Sequence, residues 1–117
     1  MKSIVLGFVL LLVSSVAWAD LKDDVNILSV SHKVTARRGD SIQQSIKIDV
    51  QNAGTRGDIT LIVSGKNSEG FKIKGLMMRS RFEANETKSL SEVEDLNQNE
   101  FSQITKWEVT DFWKDAR

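Results

Sequence analysis

The chain has 117 residues with 16 basic and 16 acidic side chains, no cysteine, no proline, and three tryptophans. Balanced charge excludes a long-range pull toward nucleic acid or anionic lipid, and the missing thiols exclude disulfide staples, thiol chemistry and thiolate metal sites. A chain of this length suits one compact domain whose stability must come from an apolar core and backbone pairing.

The opening MKSIVLGFVLLLVSSVAWA places Lys2 before an apolar run from Ile4 to Val13, then small residues up to Ala17, Trp18 and Ala19. That order predicts a secretory signal peptide over residues 1–19, cut between Ala19 and Asp20. The apolar stretch is shorter than the roughly 20 residues a helix needs to cross a bilayer's hydrocarbon core, so no stable membrane insertion is expected after cleavage. Residues 20–117 are expected to form the mature domain, periplasmic or secreted.

Residues 20–24 are a charged lead-in. In VNILSVSHKVTA, Val25 and Ile27 share one parity, whereas Leu28, Val30, His32, Val34 and Ala36 share the other. The shift predicts a bulge or a change of sheet after Ile27. A polar turn follows at Arg37 to Asp40. In SIQQSIKIDVQN, Ile42, Ile46, Ile48 and Val50 mark one buried strand face, interrupted by Gln44. After a turn at Thr55 to Asp58, Ile59, Leu61 and Val63 define a third strand, and the glycine-bearing Ser64–Gly70 is expected to connect it to a short fourth with Phe71 and Ile73 inward.

The stretch from Gly75 to Leu96 fits strands and turns, with a short helix over 83–96 as the alternative suggested by its Glu, Ala, Lys and Leu. Thr105, Trp107 and Val109 then share one face of a closing strand, with Phe101, Ile104, Phe112 and Trp113 adding apolar surface. The fold class expected is all-β: a single sandwich of about six or seven antiparallel strands.

IKIDVQNAG, Ile46 to Gly54, and ITLIVSGKNSEGF, Ile59 to Phe71, give the span Ser45 to Phe71 its character. This span resembles the first half of small bacterial immunoglobulin-like modules of exported proteins, the FxLYD/CARDB type. The closing FxLYD signature and the turn proline of such modules are absent here. The resemblance implies an immunoglobulin-like fold and a binding, spacing or assembly role rather than an enzymatic one.

Isolated candidates are better explained as structure. His32 has no identifiable partner for acid–base work. Asp20, Asp23 and Asp24, and Glu92, Glu94 and Asp95, lack the spacing of a calcium loop. The two Arg-Gly-Asp tripeptides, Arg38 to Asp40 and Arg56 to Asp58, consist of natural turn residues. Lys72, Lys74, Arg79 and Arg81 form a modest basic stripe.

No catalytic residue, cofactor or metal ligand is assigned. The leading expectation is a non-enzymatic protein-interaction or assembly module that binds another extracytoplasmic protein or itself, through a partner surface of Trp107, Phe112 and Trp113. The alternatives are an extracytoplasmic glycan or small-ligand binding domain, and a hydrolase with an unrecognised site.

Overall fold

The structure, a computed structural model, describes residues 24–116. The expected leader and its cleavage point lie outside the described residues. Six strands and one short helix follow in order: β1 (Val25–Arg38), β2 (Ser41–Asn52), β3 (Gly57–Lys66), β4 (Lys72–Phe82), β5 (Thr87–Asn97), α1 (Gln98–Gln103) and β6 (Lys106–Ala116). They form two three-stranded antiparallel sheets with strand orders β1-β2-β5 and β4-β3-β6. The second strand pairs with the fifth and the third with the sixth, so each sheet of the sandwich joins strands that are distant in sequence.

Strict alternation builds the core. Every even position of β2 from Ile42 to Asn52 is buried, and Ile46, Ile48 and Val50 meet Ile59, Leu61 and Val63 of β3 from the opposite sheet. Met78, Phe82, Leu96, Val25 and Trp107 complete the buried set. The register of β1 shifts between Ile27 and Ser29, as its change of parity predicts, and leaves Leu28 outside the ladder and exposed.

Gln44 does not interrupt the core face; it joins the sheets. Its Oε1 accepts from Trp107 Nε1 at 3.0 Å, and its Nε2 lies 3.3 Å from His32 Nδ1. An indole N–H can only donate, so it fixes the carboxamide's orientation and makes His32 Nδ1 the acceptor of the remaining bond.

A second polar link closes the other end of the sandwich. Lys114 of β6 has a fully buried side chain, and its Nζ donates to Asp24 Oδ2 at 3.0 Å, Asn52 Oδ1 at 3.2 Å and the Thr55 carbonyl at 3.0 Å. Asn52 donates through Nδ2 to the carbonyls of Thr55 and Glu83, both at 2.9 Å, and also accepts from the Gly54 N–H. Three ammonium donors and both ends of a carboxamide are thus engaged without exposure to water.

That link explains the glycine of the second Arg-Gly-Asp. A Cβ on Gly57 would lie 2.8 Å from the Asp115 carbonyl oxygen and 2.9 Å from Lys114 Cγ. Gly57→Ala therefore forces β6 away from β3, and chemical denaturation is expected to show a loss of about 1–3 kcal/mol. The glycine of the first tripeptide serves a turn instead. Gly39, at φ +59°, lies in the two-residue connection between Arg38 and Ser41.

Two details differ from the sequence expectation. The fourth strand is longer than expected and begins at Lys72, leaving Phe71 in the preceding turn with 65 % of its surface exposed. The region 87–97 is strand, as expected, but a short α-helix that the sequence expectation did not place follows it at 98–103. Asn97 and Glu100 start this helix with a reciprocal capping box, and its Phe101 lies under the Arg37 guanidinium, 5.1 Å from the ring centroid.

Candidate functional site

The expected surface of Trp107, Phe112 and Trp113 is not one surface. Trp107 and Val109 point inward, paired across from Gly65 and Val63. The register then slips: Val63 faces Val109, but Ile62 faces Asp111, so Thr110 is an extra residue. This bulge reverses the parity of the strand's last residues. Phe112 and Lys114 turn into the sandwich, whereas Asp111, Trp113 and Asp115 turn out. Trp107 is a core residue, Phe112 is half-buried against the core, and Trp113 alone of the three opens to solvent.

Trp113 shares the outer face of the β4-β3-β6 sheet with residues that sequence reasoning placed elsewhere. Across the strands run three rows: Arg81, Asp58 and Asp115; Arg79, Thr60 and Trp113; Met77, Ile62 and Asp111. Met77 is 60 % exposed and Trp113 36 %, with half-buried Ile62 between their strands. The neighbours Met77, Ile62 and Trp113 give this face an exposed apolar centre of a kind that marks contact sites.

Charge frames that centre. Asp58 is buried under two arginines, with its Oδ2 3.2 Å from Arg79 Nη2 and its Oδ1 3.3 Å from Arg81 Nε. Arg79 also lies 3.7 Å from Asp115. The carboxylate of the second Arg-Gly-Asp is thereby committed within the sheet. The basic stripe divides: Arg79 and Arg81 gather on Asp58, while Lys74 pairs with Glu100 of α1 at 3.7 Å.

At the far end, Glu108 lies 3.2 Å from Lys106 and 3.5 Å from Lys66. Partial desolvation works against the charge of Glu108, but the two lysines outweigh it and hold the carboxyl below its usual range. Within the three rows, the basic side chains stand on β4, while the acidic ones stand on β6 and, at Asp58, on the central β3. Between them, Thr60 Oγ1 is buried without a hydrogen-bond partner.

The remaining candidates lie apart from this face. His32 is exposed on β1. Glu92 and Glu94 pair across from the core-facing Ile46 and Gln44, whereas Asp95 pairs with Gln43 on the opposite face, so strand alternation separates the acidic group. Asp20 and Asp23 lie outside the described residues.

The outer face of the β1-β2-β5 sheet is rich in serine. Ser29 donates to Asp49 Oδ2 at 2.8 Å, and Ser89 donates to Asp49 Oδ1. The Ser89 and Ser29 bonds, helped by the nearby Lys47, hold the Asp49 carboxyl below its usual range despite some desolvation. A depressed folded-state value favours folding above the ordinary carboxylate range, and that contribution is lost as pH falls through the lowered value. Combining Ser29→Ala with Ser89→Ala is expected to return Asp49 toward ordinary titration in a carboxyl NMR experiment and to move the onset of acid unfolding to higher pH.

This outer face of β4-β3-β6 can bind by apolar burial at its centre and by arginine and carboxylate contacts at its rim; it assembles no nucleophile with a base. Sequence reasoning found Trp113 but missed Met77, Ile62 and the arginine-capped Asp58, because only strand pairing makes them neighbours. No family model, curated protein or solved structure matches the chain.

Proposed function

We propose that the protein is a small exported, non-enzymatic interaction or assembly module, immunoglobulin-like in kind, acting in the periplasm or after secretion. The observation that carries this reading is the outer face of β4-β3-β6, where Trp113, Ile62 and Met77 meet between an arginine-bearing strand and an aspartate-bearing one. Tryptophan and arginine are the side chains that most often anchor protein contacts, each removing about 2 kcal/mol or more when truncated at a buried hot spot. An outward sheet face with both suits a protein partner better than a sugar, which needs a concavity with converging polar groups.

Affinity capture from the native exported fraction tests the reading, with the Trp113→Ala, Met77→Ser double variant as the matched control. Both residues are exposed, so the control should retain its circular dichroism. A stoichiometric protein recovered by the native chain and lost by the control is the expected result. Recovery of no protein, or of the same protein by the control, would contradict it.

A further inference from the structure

We infer that the occupant of the β4-β3-β6 face is a second copy of this chain, turned over about a two-fold axis that lies in the interface along β3; this rests on the interaction reading above. A two-fold contact must be self-complementary, with each residue meeting a partner that meets it in return. Rotation about an axis along β3 exchanges the β4 side with the β6 side and keeps each row at its own height. Arg81 of one copy then meets Asp115 of the other, and Arg79 meets Trp113, both contacts occurring twice.

The same rotation places Asp58, Thr60 and Ile62 of both copies at the axis; each Asp58 lies under its own Arg79 and Arg81 and Thr60 is already buried within its chain, so half-buried Ile62 makes the contact there. Met77 falls opposite Asp111, whose Oδ1 already accepts from the Phe112 N–H at 2.9 Å.

The charge layout selects this axis over the other face-to-face choice. An axis across the strands would lay β4 on β4 and β6 on β6, setting arginines against arginines and aspartates against aspartates, which opposes association. With the axis along β3, guanidinium meets carboxylate in the outer row and the indole ring in the middle one. Arg79, Arg81 and Asp115 keep roughly half of their side-chain surface exposed despite their contacts with Asp58 and one another, so they remain accessible to a second copy. Sheets meeting this way pack with strands about 30° from parallel, which keeps the central rows in contact.

Sedimentation equilibrium over a concentration series, using protein expressed from the whole reading frame, tests the pairing. The native chain is expected to dimerise. Arg81→Asp and Asp115→Arg each place like charges together twice and should weaken self-association at least about tenfold. Mixing these two variants places opposite charges together at both contacts and should restore a heterodimer that neither forms alone. The single-chain double swap should restore the homodimer.

A monomeric native chain, or folded single variants that fail to rescue each other, would overturn the inference. Asp115→Arg and Trp113→Ala leave Asp58 with both arginines and decide the matter if Arg81→Asp does not fold; a dimer constant changed by less than about twofold in either would overturn it. A monomeric chain that still captures another protein through Trp113 and Met77 would remove the second copy but leave the interaction reading standing. Failure of both experiments would remove both.

Discussion

Trp107→Ala is expected to destabilise the domain by about 3–5 kcal/mol, a large share of the roughly 5–15 kcal/mol that holds a domain of this size folded. The indole fills the space between the sheets and lies about 3.0–3.1 Å from where a Cβ on Gly65 would stand. Its N–H is also bonded to Gln44. Truncation therefore leaves a cavity and strands a buried carboxamide oxygen.

The two contributions can be separated. Gln44→Leu orphans the indole N–H and should lose about 1–3 kcal/mol, whereas Gln44→Leu combined with Trp107→Phe removes both polar partners and should lose less than the sum of the single changes. Urea unfolding followed by circular dichroism measures all four proteins. Additive losses would mean that the bond contributes nothing beyond packing.

The second large effect is expected at Lys114. Lys114→Ala should lose about 3 kcal/mol, because it removes the buried stem and leaves Asn52 Oδ1 and the Thr55 carbonyl without the donor that joins them to β6. Asp24 is less affected, since its partly exposed carboxylate can be hydrated. Lys114→Met retains most of the stem and should fall between alanine and the native residue. A methionine variant more stable than the native chain would show that desolvating the ammonium outweighs its three hydrogen bonds, a known outcome for buried charges.

The parts of this fold legible from sequence are those governed by unbroken alternation. β2 and β3 follow from Ile46, Ile48 and Val50 and from Ile59, Leu61 and Val63, because a one-residue slip would turn a whole buried face outward. The first bulge in β1 is visible because Val25 and Ile27 differ in parity from Val30, whereas the second, between Val34 and Ala36, separates two residues of one parity.

The bulge in β6 leaves no such trace. Thr110 interrupts a run whose odd positions continue through Trp113, so parity alone places Trp107 and Trp113 on one face. Lys114 lies in a charged terminal stretch, and its burial depends on Asp24 and Asn52, far away in sequence. The helix does carry a signal, since Asn97 with Glu100 three residues later is a capping-box spacing. The candidate site is half legible: the aromatic residue stands out, whereas its neighbours are assembled by strand pairing.

Because the chain contains no cysteine, a single introduced thiol can report directly which face meets a partner. Met77→Cys labels the outer face of β4-β3-β6, and Ser31→Cys labels the outer face of β1-β2-β5; each is coupled to a photo-crosslinker and illuminated in an extract of the cells that make the protein. A discrete protein adduct from position 77 and none from position 31 is the predicted result. An adduct from position 31 with none from position 77 would contradict the assignment of the partner surface.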